Sequence, residues 1–109
     1  LSDVYTARSV VFQGRFHTDL VELRATVRNK LGIHARPAAY LVKASTKFEA
    51  EITFEKEGLE VNGKSIMGVM MLAAEKGAEI IVRANGNDES EAAEALAAMI
   101  SNELDIEGS

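Results

Sequence analysis

His34 and Arg36 are the residues whose types and spacing best suit a chemical function, which would be the handling of phosphate. They lie in residues 32–37, which read Gly-Ile-His-Ala-Arg-Pro. A neutral imidazole is a nucleophile that can accept a phosphoryl group reversibly, and a guanidinium binds phosphate through charge-assisted hydrogen bonds. Gly32 lets the backbone bend just before them. The nucleophile and the counter-charge of a phosphohistidine site are therefore adjacent in the sequence.

Pro37 marks the start of the helix that would complete this site, since proline suits the first turn, where its missing N–H would be unpaired in any case. An apolar stripe predicts a helix over about residues 37–47; its members are Ala38, Leu41, Val42, Ser45 and Phe48. The first backbone N–H groups and the positive dipole end of such a helix attract anions. We therefore expect them to stabilise a phosphate on His34.

Ser65 begins a second segment of interest. It is predicted to be the N-cap of a short helix over residues 66–72, a position where an added phosphate meets the positive end of the helix. Ile66, Met67 and Met70 recur at helical spacing, which is typical of core packing and also of an adaptable docking surface. Both interpretations stay open on this pattern alone.

Residues 58–65 match the P-loop pattern in full. A P-loop must follow a buried parallel strand and begin a long helix, whereas here the preceding strand pattern is amphipathic and the following helix is short. We interpret the match as coincidence.

The elements that must position these residues are predicted in the order β-α-β-β-α-β-α, which is typical of an α+β domain with helices on one face of a mostly antiparallel sheet. Hydrophobic periodicity indicates strands near residues 21–28, 51–55, 59–61 and 79–84. A last helix runs to about residue 103. At its start, Asp88 followed three residues later by Glu91 resembles a capping box.

The chain divides into three parts. Residues 1–20 form an N-terminal extension of unknown structure, in which residues 10–12 fit either a strand or the apolar side of a helix. Residues 21–103 form the folded domain, and residues 104–109 form a C-terminal tail.

Charge is distributed unevenly around a net value of −5. Residues 23–48 contain no acidic residue and six basic ones, which are Arg24, Arg28, Lys30, Arg36, Lys43 and Lys47. An uneven but ordinary solvated face and a binding site for an anion or an acidic partner are both consistent with this block. If it surrounds a phosphohistidine, we expect it to steer acidic partners to one face.

Composition excludes several classes of protein. The absence of cysteine removes disulfides, thiolate catalysis and most zinc sites, so we expect neither a metal nor a cofactor. No apolar run approaches the roughly 20 residues that span a membrane, and no signal peptide is recognisable; we expect a cytoplasmic protein without membrane insertion. Nucleic-acid binders of similar element order stack bases on aromatic residues of the sheet. Only Phe54 falls on a predicted strand of the domain, so we expect no nucleic-acid partner.

Two motifs together resemble the HPr family, the histidine-containing phosphocarriers of the bacterial phosphotransferase system. Residues 32–38 read Gly-Ile-His-Ala-Arg-Pro-Ala, and residues 64–70 read Lys-Ser-Ile-Met-Gly-Val-Met. The similarity covers about residues 21–103. It implies an open-faced β-sandwich, with three helices on one face of a four-stranded antiparallel sheet.

The resemblance also implies a function. His34 would take a phosphoryl group on Nδ1 from the phosphohistidine of enzyme I and pass it to a sugar-specific or nitrogen-branch IIA domain. Arg36 would lie beside the phosphate and Pro37 would fix the helix start. The protein would be a stoichiometric carrier rather than an enzyme, and HPr kinase/phosphorylase would modify Ser65.

A docking surface next to the histidine is implied as well. The residues assigned to partner binding are Ala35, Ala39, Tyr40, Lys43, Ile66, Met67 and Met70. The alternative function is a mainly regulatory member of the family, of the nitrogen branch or of catabolite control, that acts through phosphorylation-dependent protein binding.

Overall fold

One antiparallel sheet carries three helices on a single face. The computed structural model describes residues 4–12 and 15–102, with side chains from Leu20 onward. The strands are β1 (Val4–Phe12), β2 (Arg15–Thr26), β3 (Glu51–Lys56), β4 (Leu59–Asn62) and β5 (Glu79–Asn85). The helices are α1 (Ala35–Ser45), α2 (Ile66–Met71) and α3 (Glu89–Ser101).

The sheet has the strand order β1-β2-β5-β3-β4, and every pair of neighbours is antiparallel. The predicted four-stranded sheet with three helices is confirmed in β2 to β5 and α1 to α3. A fifth strand, β1, pairs with the outer edge of β2, so residues 10–12 are a strand rather than part of a helix. Residue 103 and the predicted tail, residues 104–109, lie outside the described residues.

Alternation along the strands places the core on the helical face. Leu23, Ile52, Phe54, Ile80 and Val82 are buried, and Phe54 is fully enclosed. Helix α3 packs on β2 and β5, and α1 contacts both α2 and α3. The apolar faces of the strands, of period 2, and of the helices, of period 3.6, therefore pack against each other in a single layer.

The other face of the sheet is charged, with Arg83 of β5 at its centre. Arg83 Nε lies 2.7 Å from Glu22 Oε2, and its Nη1 lies 2.7 Å from Glu55 Oε1 and 3.5 Å from Glu60 Oε2. Burial opposes the charged guanidinium, but hydrogen bonds to Glu55 and Glu22 outweigh it and raise the pKa of Arg83. This cluster joins the side chains of four strands.

The predicted capping box at Asp88 is wrong. Asp88 makes no side-chain hydrogen bond to its own helix; its carboxylate instead accepts the backbone N–H groups of Glu49 and Ala50, at 2.9 and 2.8 Å. Those donors follow α1 and need an acceptor before β3 begins. The Asp88 carboxylate thus links the α1–β3 connection to the start of α3.

Candidate functional site

His34 lies between β2 and α1 as the N-cap residue of α1. Its backbone is extended, with φ −99° and ψ −160°, and its carbonyl oxygen accepts the first intrahelical bond, from Ala38 N–H at 2.9 Å. Its side chain makes no capping hydrogen bond. The helix begins at Ala35, two residues earlier than predicted, and Pro37 is its third residue, still within the first turn where no donor is needed.

The two ring nitrogens of His34 differ in their surroundings. Nε2 is buried and has no hydrogen-bond partner, although the residue as a whole is half-buried. An enclosed nitrogen cannot approach a phosphorus atom carried by another protein. Burial therefore disfavours Nε2 as the nitrogen that reacts with a partner.

The loop before His34 is fixed by close contact with the segment after α2. Ile33 N–H donates to the carbonyl oxygen of Ala74 at 2.8 Å. Gly32 has φ +76°, and a Cβ on it would overlap that same oxygen. The predicted bend at Gly32 is confirmed, and it is required both by the left-handed backbone and by the close approach.

Helix α1, which begins directly after His34, contributes positive charge. Arg36 and Lys43 are exposed on this helix, and its first turn contains no acidic residue. Arg24 of the same acid-free block lies instead on the far face of the sheet, where its Nε is 3.7 Å from Glu79 Oε1. Arg24 therefore does not share a face with the cations of α1, because alternation along β2 points it away from the helices.

Ser65 is the N-cap of α2, as predicted, and its Oγ accepts Gly68 N–H at 3.0 Å. The P-loop resemblance of residues 58–65 is confirmed as coincidence, because β4 occupies the middle of that segment and pairs antiparallel with β3. Ser65 is half-buried and directly precedes the exposed residues Ile66 and Met67 of α2.

Helix α2 displays most of its apolar side chains to solvent. Its outward surface, called here the α2 surface, consists of Ile66 (43% exposed), Met67 (72%), Met70 (42%) and Met71 (64%). Val69 is the helix residue that enters the core. Their exposure excludes core packing as the reason for this pattern. Exposed apolar clusters are typical of interaction sites, which leaves docking as the remaining interpretation.

The other residues assigned to partner binding lie on α1. Ala35 and Lys43 are exposed, Tyr40 is 40% exposed and Ala39 is half-buried. Sequence reasoning missed two apolar residues, Leu31 at 70% and Met71 at 64% exposure. The sequence signal that could have found them is their position next to predicted functional residues, since Leu31 precedes the Gly32 bend and Met71 follows Met70.

Other kinds of site find no support in the described part of the chain. Within it, no three His, Cys, Asp or Glu side chains are grouped as metal ligands would be, and it contains no helix with the length and hydropathy of a membrane span. Phe54 is enclosed beneath the helices, and no aromatic residue between positions 20 and 102 is on the open face of the sheet. The base-stacking surface of a nucleic-acid binder is thus absent there.

Comparison with known proteins agrees with this geometry. The family model PTS-HPr, described as the PTS HPr component phosphorylation site, matches residues 21–102. The chain belongs to the HPr family. The matched range begins within β2 and takes in every element described from there to α3.

Relatives within the HPr family support the assignment. The phosphocarrier protein HPr of Xylella fastidiosa (strain Temecula1) is 49% identical over 83 residues, which are 76% of this chain and 93% of that protein. The HPr-like protein Crh of Bacillus subtilis is 45% identical over 85 residues, 78% of this chain and 100% of that protein. A crystal structure of HPr from Bacillus anthracis aligns with a TM-score of 0.72 and 47% identity, covering 74% of this chain and 96% of that one.

Proposed function

We propose that this protein is a cytoplasmic phosphocarrier that accepts a phosphoryl group on Nδ1 of His34 from phospho-enzyme I and passes it to a IIA domain. The observation that carries the proposal is the burial of Nε2 of His34 at the start of α1, which leaves Nδ1 as the ring nitrogen for the phosphoryl group. The protein would be consumed and regenerated in each cycle as a carrier, without turnover of its own.

In the first step, the lone pair of Nδ1 attacks the phosphorus atom of the donor phosphohistidine. The P–N bond of the donor breaks, and its electron pair returns to the donor imidazole. The new P–N bond leaves a dianionic phosphoryl group at the positive end of α1. Arg36 supplies the nearby positive charge, and transfer to a IIA histidine repeats the same exchange.

Docking of enzyme I and of the IIA domain is assigned to the α2 surface together with exposed residues of α1. An apolar centre beside positively charged residues suits partners with an apolar patch and an acidic rim. Lys43 and Arg36 would lie on the basic side of this contact.

The test is incubation of the full chain with enzyme I and labelled phosphoenolpyruvate. We expect one acid-labile phosphate on the wild type, none on His34→Ala, and a 15N chemical-shift change at Nδ1 of the ring. Equal labelling of the two proteins would overturn the proposal. Transfer to sugar-branch and nitrogen-branch IIA domains, compared side by side, assigns the branch.

A second candidate function is regulation through Ser65, favoured by its position as the N-cap of α2 next to the α2 surface. A kinase would move the γ-phosphoryl group of ATP to Oγ, releasing ADP and the hydroxyl proton. Gly68 N–H, which now donates to Oγ, would face the phosphate oxygens. The added charge beside Ile66 and Met67 would repel an acidic docking partner.

HPr kinase/phosphorylase with ATP tests this function. We expect label on the wild type but not on Ser65→Ala, and slower acceptance from enzyme I by Ser65→Asp with unchanged stability. An unchanged acceptance rate in Ser65→Asp would contradict the switch. Label confined to Ser65, with none on His34, would favour the mainly regulatory alternative over the phosphocarrier.

A further inference from the structure

Lys56, at the end of β3, makes a set of contacts that the proposed function does not yet use. Its Nζ lies 3.2 Å from the carbonyl oxygens of both Leu72 and Ala73 and 3.2 Å from Glu75 Oε1. The side chain is only 16% exposed, so the ammonium is held in place by these three groups.

These contacts lie on both sides of Ala74, the residue that fixes the loop before His34. Leu72 and Ala73 precede Ala74 and Glu75 follows it, while the carbonyl oxygen of Ala74 accepts Ile33 N–H at 2.8 Å. An ammonium that holds both flanks of Ala74 therefore limits the movement of the carbonyl between them.

The segment needs such a restraint. Ala73 has φ +48°, a left-handed conformation that is unfavourable for a residue with a Cβ. The carbonyls of Leu72 and Ala73 come at the C-terminal end of α2, where backbone acceptors lack helical partners and attract a cation. The Lys56 ammonium binds these carbonyl oxygens and thereby also restrains the backbone at Ala73.

The state of Glu75 is consistent with this arrangement. Its own backbone N–H and then the Lys56 ammonium lower the pKa of the Glu75 carboxyl. Glu75 is 68% exposed, so it acts as an outer partner of Lys56.

We propose that Lys56 is a positioning residue for phosphoryl transfer at His34. It fixes the 72–75 segment, the Ala74 carbonyl fixes Ile33, and Ile33 places the His34 ring at the start of α1. Lys56 touches neither the ring nor the phosphate, and this inference rests on the proposed phosphocarrier function. Its effect is on the geometry of transfer rather than on docking.

The kinetic test uses Lys56→Met, which keeps the length of the stem and removes the ammonium, and Lys56→Arg, which restores a cationic donor. With enzyme I and phosphoenolpyruvate, we expect kcat for carrier phosphorylation to fall about tenfold in Lys56→Met at little change in KM. Lys56→Arg should recover most of the loss. Equal kcat in wild type and Lys56→Met, or a loss that Lys56→Arg does not restore, would overturn the inference.

A matched control and a second readout separate positioning from general stability. Arg83→Met also removes a half-buried cation with several partners, but from the opposite face of the sheet, and we expect its kcat to match the wild type. Amide hydrogen exchange should speed up about tenfold at Ile33 in Lys56→Met, with Ala38 unchanged. Equal acceleration at both amides would show a merely structural role.

Failure of the proposed function gives a different result. A wild-type chain that takes up no phosphate overturns the phosphocarrier and the positioning role together. A wild-type chain that is labelled, with Lys56→Met labelled equally fast, overturns the positioning role alone.

Discussion

The Cα of Gly32 lies so close to Ala74 that a methyl group on Gly32 would overlap the carbonyl oxygen of Ala74 and come within 2.9 Å of Glu75 Cα. The two residues are brought together by the sheet, since the loop after β2 and the segment after α2 meet at the same end of the molecule. The position of His34 depends on this contact.

Gly32→Ala should therefore disturb both stability and transfer. We expect the free energy of unfolding to fall by about 3 kcal/mol, because the backbone must leave its left-handed conformation or displace Ala74. Urea unfolding measures the loss, and labelling by enzyme I should be slower. Gly58→Ala is the matched control: Gly58 has φ +89° but nothing within 4 Å of a Cβ, so it should lose only about 1 kcal/mol and keep its labelling rate.

Met67 tests the assignment of docking to the α2 surface. Met67→Glu places a charge on the most exposed apolar residue of α2. The KM of enzyme I for this carrier should therefore rise about tenfold, while the free energy of unfolding changes by less than about 0.5 kcal/mol. Steady-state phosphorylation kinetics measure the change. Ala95→Glu, on the exposed side of α3, adds the same charge away from the surface; a comparable rise in KM there would argue for a general electrostatic effect instead.

Arg83 tests the charged face of the sheet. Arg83→Met removes the guanidinium from beside the carboxylates of Glu22 and Glu55, which are 16% and 18% exposed. We expect a loss of about 2 kcal/mol in urea unfolding. Glu60→Gln, which alters the 61% exposed outer partner at 3.5 Å, should change stability by less than about 0.5 kcal/mol. Similar losses in the two variants would contradict this ranking.

Asp88 predicts a dependence of stability on pH. The N–H of Glu49, opposed by partial desolvation and aided by the N–H of Ala50, lowers the pKa of Asp88 below its ordinary value of 3.8. Because the folded pKa is depressed, the stabilisation is complete above pH 3.8 and is lost as the pH falls through the folded pKa. Asp88→Asn should therefore be less stable than wild type at pH 7, and the difference should shrink at lower pH. A pH-independent difference in urea unfolding would show that the charge plays no part.

The parts of the protein that could be predicted from sequence are those encoded locally. Strand alternation and the helical stripe of α1 each lie within a dozen or fewer consecutive residues, and His34, Arg36 and Pro37 are neighbours in the chain. Ser65 caps a helix that begins with the next residue. Such features need no knowledge of which strands pair.

The parts that could not be predicted depend on contacts between distant residues. Asp88 binds amides 38 and 39 positions away, and Lys56 reaches carbonyls 16 and 17 positions away. The strand order brings these groups together, and hydrophobic periodicity in the sequence does not indicate the strand order. Strand β1 escaped prediction for a related reason, since an edge strand held by backbone pairing to β2 need not leave a hydrophobic period in its sequence.

The exposure of α2 gives the protein an internal reporter of its own contacts. A peroxide transfers one oxygen atom to a thioether at a rate that follows solvent access, so Met67 and Met71 should be oxidised well before Met99, which packs against the core. A partner bound to α2 would slow the oxidation of Met67 and Met71, and the oxidation of Met99 would serve as the reference. Mass spectrometry of the α2 and α3 peptides would then read occupancy of this surface without any label or tag.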